Sequence, residues 1–384
     1  MEDDLFPLLK AYGSLCPIRK LQWPIILPPT EIQEFLVEDL LLNPHFGSYP
    51  PDTAHQRSFW KWAIDNLESL REEIDERILE YYLQLLGQTK TEGLVAPSPS
   101  FRTYIWKRTG DMSPAMRRRK ASQSSRYSQS HEWITLLESG TTIENGTTGL
   151  RTWSASFALA DYLVKHPDLL KARVLEIGSG VGFLGIIIAK LQMHAQDNCP
   201  KSPLTRQSDV SLTLSDVDHD VLRRCQDNLA LSCNSLNDHP NLSCRILDWS
   251  DVLDASLKSR TEQFMEDVDP DVIIGADLVY DIDIVPALVA TLALALDRPT
   301  HSGSACRKAY IALTVRNEGT VDTFRTTAGK SMVANVLSGK ALNVEEEALD
   351  ERSSLAMNES LEGNHGFPVR LFVLSSKLGK QKAL

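Results

Sequence analysis

Two short runs in the 384-residue sequence combine residue types and spacings that can do chemistry. The first is Glu176-Ile177-Gly178-Ser179-Gly180-Val181-Gly182. It follows the strand-like run Arg173 to Ile177 and opens the apolar stretch Phe183 to Leu191. Glycines between a strand and a helix let the backbone turn tightly and approach a bound molecule with no Cβ in the way. The second run is Gly275-Ala276-Asp277-Leu278-Val279-Tyr280, where another apolar run ends. A carboxylate and an aromatic ring three residues apart can attract a cation, one by charge and the other through its π face.

What the glycines hold is open at this level to two cofactor classes. Gly180, Gly182 and Gly185 match G-x-G-x-x-G, the dinucleotide fingerprint. Three further features bear on S-adenosylmethionine. Glu176 stands two residues before the first glycine. Asp216 closes the next strand-like run and can accept both ribose hydroxyls, which would serve either cofactor. It is farther from the glycines than the usual spacing of about 20 residues, and the polar insertion Gln192 to Ser208 accounts for the excess. Asp248-Trp249 ends the following run, and an acid next to an aromatic suits the amino group and the face of an adenine. Plainer roles stay open: a cap or surface pair for Glu176, a helix cap for Asp216 (Asp218 is better placed for that), packing for Trp153 and Trp249, a cap for Asp277 and core for Tyr280.

The elements that must position these residues alternate from about residue 145 onward. RVLEIGSG, VSLTLSD, LSCRILDW, DVIIGADLVY and KAYIALTVRN read as strands. SASFALADYLVKH, FLGIIIAKL, DHDVLRRCQDNLALS, IVPALVATLALAL and TVDTFRTTAGKSMVANV read as helices. Alternation of this kind predicts a mostly parallel sheet covered on both faces. LNVEEEAL and VRLFVLSS lack a helix between them and suit an antiparallel hairpin at one edge. Gln192 to Ser208 and Asp350 to Gly366 are polar and are expected to be surface loops.

Residues 1–91 read as a helical domain. Thr30 to Leu42 and Phe59 to Leu86 each carry an apolar stripe at helical spacing, and NPHFGSYPPD between them reads as a turn. Residues 92–131 are rich in Ser, Pro and Arg and predict a linker, with a basic run at Arg117 to Lys120; the catalytic domain then spans 132–384.

Net charge of −11 and a pI near 5.4 weigh against a protein that coats nucleic acid. Six cysteines with no C-x-x-C pair predict free thiols and no metal. The acidic start is unlike a secretory signal, no run is long enough to span a bilayer, and the cytosol is expected.

GTTGLRTWSASFALADYL, VLEIGSGVGFLG, LSDVDHDVLRRCQDNL, ILDW and GADLVY, in that order, resemble the lysine-specific branch of seven-strand S-adenosylmethionine-dependent methyltransferases that carry a D-x-x-Y motif. GTTGLRTW and TVRN (Thr314 to Asn317) are similar to those members that modify translation elongation factor 2. The resemblance implies a Rossmann-like seven-stranded α/β sheet. It implies cofactor contacts from Trp153, Glu176, Gly178, Gly180, Gly182, Asp216, Asp248, Trp249 and Ala276, and a target-lysine site at Asp277 and Tyr280. A monomer acting on a protein substrate follows, with no membrane and no direct nucleic-acid contact. Two other readings remain: a methyltransferase fold that binds without turnover, and a methyltransferase for RNA or a small molecule. The place after the fourth strand has no Asn/Asp-Pro-Pro-aromatic turn, which disfavours adenine N6 chemistry.

Overall fold

The computed structural model describes residues 2–88, 97–108, 127, 130–144, 146–198, 210–298, 306–330, 341–349 and 367–376. The basic run at 117–120 and the acidic insertion at 350–366 lie outside them. The described chain forms two compact units. The first comprises residues up to Arg151 together with Leu231–Ser235, and the second comprises the rest.

In the first unit, α1 (Glu2–Ser14), α2 (Pro29–Phe35), α3 (Pro44–Ser48), α4 (Thr53–Ser69) and α5 (Glu76–Gly87) precede a hairpin of β1 (Ser100–Lys107) and β2 (His131–Glu138). Helix α2 continues as a π-helical turn, Leu36–Leu41. Tyr12, Phe35, Phe59, Trp60, Tyr127 and Trp133 share its core.

Three sequence expectations change here. The stripe from Phe59 to Leu86 is two helices, not one. Arg71 takes a left-handed φ of 57°, and the Asp75 side chain accepts the Arg77 N–H to start α5. The expected turn after Leu42 contains α3. The Asn43 side chain accepts the His45 N–H, and Pro44 sits where a helix needs no donor. The expected linker over 92–131 contains β1, whose backbone groups need a partner strand, and β2 supplies it in full register from Ser100↔Glu138 to Lys107↔His131. The first unit therefore extends past residue 131 to Arg151.

The second unit is built on a seven-stranded sheet of order β5-β4-β3-β6-β7-β9-β8. Its strands are β3 (Arg173–Ile177), β4 (Ser211–Asp216), β5 (Leu242–Ile246), β6 (Val272–Ala276), β7 (Lys308–Thr314), β8 (Leu342–Glu347) and β9 (Val369–Ser376). The first five pair in parallel; β9 runs antiparallel to both β7 and β8, in line with the antiparallel edge hairpin expected from the sequence. The helices are α6 (Ser154–Lys165), α7 (Phe183–Asn198), α8 (His219–Ala230), α9 (Lys258–Val268), α10 (Val285–Leu296) and α11 (Glu318–Gly329).

Helix α7 includes Gln192 to Asn198, where the sequence predicts a surface loop, and residues 199–208 lie outside the described residues. Helix α9 has no counterpart in the sequence reading. It buries only Thr261, Phe264, Met265 and Val268, a narrow stripe among charged residues. Among the described residues no helix is long and apolar enough to cross a membrane. The chain steps from β3 outward to β4 and β5, then crosses to the other side of β3 to form β6. That reversal leaves a crevice at the carboxyl ends of β3 and β6, where open α/β sheets bind ligands.

Beneath the sheet's opposite end, Arg173 and Arg307 grip the turn Asp269–Asp271. Arg307 is 2% exposed. It also donates to the carbonyls of Pro270 and Arg298. Burial alone would raise the Asp269 carboxyl, but the Arg307 and Arg173 guanidiniums hold it below the ordinary range. Its stabilising share is therefore present above the unfolded carboxyl pKa of about 3.9 and is lost as the pH falls through the lower folded value. Asp269→Ala leaves Arg307 buried without its anion and is expected to cost about 3–5 kcal/mol in urea unfolding. A cost below about 1 kcal/mol would mark the pair as a surface-type contact instead.

Candidate active site

The glycine turn adopts backbone angles that few side chains accept. Gly178, Gly180 and Gly182 have φ of 62°, 54° and 90°. A Cβ at Gly178 would lie 2.5 Å from Leu278 Cδ2, and one at Gly182 would lie 2.9 Å from Cys225 Sγ. Both contacts are too close for a real side chain, so the turn requires glycine for space as well as for angle. Gly185 begins the packing of α7 on the sheet, since a Cβ there would meet Leu214 Cδ2 at 2.1 Å.

Asp216 braces this turn from the neighbouring strand. Its Oδ2 accepts the Gly180 N–H at 3.1 Å and its Oδ1 accepts the Asp218 N–H at 3.2 Å. Burial raises its pKa, against the lowering effect of the Asp218 and Gly180 donors. The cap of α8 is Asp218, which accepts from Asp220 and Val221, as its position in the sequence suggests.

Glu176 lies deep in the sheet. It is 2% exposed, beside Leu214 of β4 in register. Its carboxyl faces the start of α7, with Oε2 3.1 Å from the position of a Cβ at Gly185. Burial pushes its pKa well up, with Cys244 and Asp216 adding to the shift. Oε2 has no hydrogen-bond partner.

Asp248 caps the 3₁₀ turn Trp249–Leu253. Its Oδ1 accepts from the Ser250 N–H at 2.8 Å and the Ser250 hydroxyl at 2.6 Å. The Trp249 ring edge lies 3.6–3.7 Å from the position of a Cβ at Gly178, so the ring sits against the glycine turn while packing on the sheet core. Ala276, half-buried, ends β6.

The residue after it, Asp277, has a left-handed φ of 53°. Its Oδ1 accepts the Thr314 N–H at 2.9 Å; its Oδ2 accepts the Thr314 hydroxyl at 2.9 Å and the Ala155 N–H at 3.2 Å. Arg316 approaches the same two oxygens at 3.5 and 3.4 Å. The Arg316 guanidinium also stands over the Trp153 ring, 5.1 Å from its centroid. Asp277 does not cap the next helical turn; Asp281 does that by accepting the Asp283 N–H. Tyr280 is 72% exposed and so is not core.

The structure thus brings Trp153, Asp277 and the ends of β6 and β7 together. Gly178, Gly180, Gly182, Asp216, Asp248 and Trp249 gather at the ends of β3, β4 and β5. Thr314 and Arg316 were not singled out as site residues. Their signal was the TVRN run at the end of β7, quoted for its likeness and not for its charge.

A ribose-bearing ligand fits this floor. Three glycines open the backbone, one half-buried carboxylate stands beside them, and an aromatic ring lies against the turn. The strand order, with its antiparallel seventh member, and the site at the switch point are those of the Rossmann-like fold shared by S-adenosylmethionine-dependent methyltransferases. Residues 134–323 match the model of a family described as lysine methyltransferase. This chain is similar to members of that family. It is 34% identical to the protein-lysine N-methyltransferase EFM3 of Chaetomium thermophilum, over 51% of this chain and 52% of that protein. It is 28% identical to the protein-lysine N-methyltransferase EEF2KMT of Bos taurus, over 77% of each. The matched region thus spans about half the length of the fungal relative. Among solved structures, an O-methyltransferase from Bacillus cereus in complex with SAH aligns with 59% of this chain and 82% of its own, at 15% identity and a TM-score of 0.32.

Because the folded state raises the Glu176 pKa, the buried group favours its neutral form. Its stabilising share is full below the unfolded value of about 4.3 and declines as the pH rises toward the folded one. Glu176→Gln removes that titration. In thermal melts from about pH 5 to about pH 9, the variant should gain on the unaltered chain as the pH rises. A difference constant across that range would mean that Glu176 is folded as an anion.

Proposed function

We propose that the protein transfers methyl groups from S-adenosylmethionine to a lysine side chain of translation elongation factor 2. The observation that carries the reading is a fixed carboxylate, Asp277, and an aromatic face, Trp153, which meet at one cation, Arg316, at the end of β6 by the sheet's switch point. In this reading Gly178, Gly180 and Gly182 admit the methionine part of the cofactor, and Asp216 accepts its ribose hydroxyls. Asp248 and Trp249 flank the adenine, while Trp153 and Ala276 border the reacting end. Glu176 acts from behind the turn, by holding the start of α7. The cofactor supplies an electrophilic methyl group on a sulfonium.

The chain's own work is positioning. The target nitrogen must be a neutral amine held within about 3–3.5 Å of the methyl carbon. Tyr280 orients that nitrogen, and Asp277 fixes the groups around it: the end of β7, the start of α6 and the Arg316 guanidinium. Leu278, 4% exposed and reaching under Gly178, contributes an apolar wall that excludes water. The fungal and mammalian relatives, by their names protein-lysine methyltransferases, support a protein substrate. A cytosolic monomer goes with this reading.

The test is transfer of a labelled methyl group to elongation factor 2 purified from cells lacking the gene, with the modified residue located by mass spectrometry. Tyr280→Ala alters an exposed side chain and is expected to leave folding intact while slowing transfer about 10- to 100-fold. Asp216→Ala is expected to show its main defect in cofactor affinity by calorimetry, with a smaller loss of rate at saturating cofactor. Label found only in RNA or small molecules would overturn the substrate.

A further inference from the structure

A lone carboxylate is a poor neighbour for a lysine that must react as an amine. An opposite charge within about 4–6 Å favours the ammonium form, and the lysine already starts from a pKa of about 10.4. Asp277 is not alone, however. A carboxylate offers about four lone-pair positions. Three donors from Thr314 and Ala155 already bind its oxygens, and its side chain is 5% exposed. The Arg316 guanidinium covers what remains, with one nitrogen toward each oxygen. Its contacts of 3.4 and 3.5 Å are looser than the roughly 2.7–2.9 Å of a closed charge-assisted pair, and its side chain is 34% exposed. The Trp153 ring holds its other face. This slot, made of an anion and a π face, is where an ammonium would settle, and a permanent cation is already in it.

We propose that Arg316 is a positioning residue that neutralises Asp277 and keeps a fixed positive charge beside the target, so that lysine is accepted as the neutral amine. The inference rests on the lysine reading above. An ammonium entering beside the guanidinium meets a like charge and finds the Asp277 charge already taken up, while an amine does not. The amine's lone pair then forms the new N–C bond as the S–C bond breaks, its electrons leave on sulfur, and the proton shed beforehand goes to solvent. The other charged groups nearby do not replace Arg316. Asp281 and Asp283 follow Tyr280 and are acidic, and Asp281 is engaged in its own turn. Glu318, at the start of α11, pairs with Arg370 of β9, which also reaches Glu346 of β8. The first turn of α6 carries no acid.

The experiment compares the unaltered chain with Arg316→Gln and Arg316→Lys in two measurements. The first is equilibrium binding of unmethylated elongation factor 2, without cofactor, from about pH 6.5 to about pH 9.5. The ratio of the unaltered chain's Kd to that of Arg316→Gln should fall as the pH rises, because the first prefers the amine and the second the ammonium. The second is the pH profile of kcat. Arg316→Gln should lose about tenfold near neutral pH and recover most of it in alkali, an upward shift of about one pH unit in the rising limb. Arg316→Lys, which keeps the charge, should stay near the unaltered profile. Parallel profiles with a constant Kd ratio, or faster transfer by Arg316→Gln at neutral pH, would overturn the proposal and leave the lysine reading standing. No transfer to elongation factor 2 by the unaltered chain, with a constant Kd ratio, would overturn both.

Discussion

The architecture of the second unit's site depends on the hydrogen bonds of one side chain. The Asp277 carboxylate accepts from the first turn of α6 and from the end of β7, while its own backbone directly follows β6 and donates to the Ala312 carbonyl. Holding a non-glycine residue in the left-handed region costs about 1–3 kcal/mol. Three hydrogen bonds to a charged acceptor contribute about 1.5–3 kcal/mol each, so the bonds outweigh the strain. Aspartate tolerates that conformation better than most residues. The same carboxylate therefore fixes where Trp153 leads into its helix and where Arg316 leaves its strand.

Two acids on adjacent strands show how burial sorts residues of similar chemistry. Glu176 lies one register step inside the sheet, where desolvation favours its neutral form. Asp216 stands at the strand end, where backbone donors from Gly180 and Asp218 offset part of the same penalty. The first supports the glycine turn from behind and the second grips it from the side. The turn itself has no side chains with which to hold its shape.

Much of the sheet was legible because its strands are apolar runs bounded by turn residues, and their alternation with helices admits few topologies. The glycine turn was legible for the same reason that it is needed: only glycine fits its angles and spaces. Helix α9 was hidden because four buried side chains among charges make a weak pattern. Strand β1 was hidden because its partner β2 lies across a polar stretch, and pairing is not written in either strand alone. In the site, the carboxylate and tyrosine could be read as a motif. The Arg316 contact could not, since it joins residues 39 apart and depends on the direction in which β7 ends. Glu176 was assigned to the right motif, but its depth depends on how α7 packs.

The first unit is not continuous along the chain. Asn234, which belongs to it although it lies between α8 and β5, donates its side-chain amide to the Thr135 carbonyl at 2.8 Å and accepts the Thr135 N–H at 2.9 Å. An amide side chain thus stands in for the next strand along the open side of β2. During synthesis, residues up to Arg151 leave the ribosome with that backbone position unmet, and it is completed only once β3, β4 and α8 have followed. The order of translation therefore differs from the order in which the units can close. A ribosome paused between α6 and α8 would display a hairpin edge to the surroundings, where newly made chains are most open to pairing with one another.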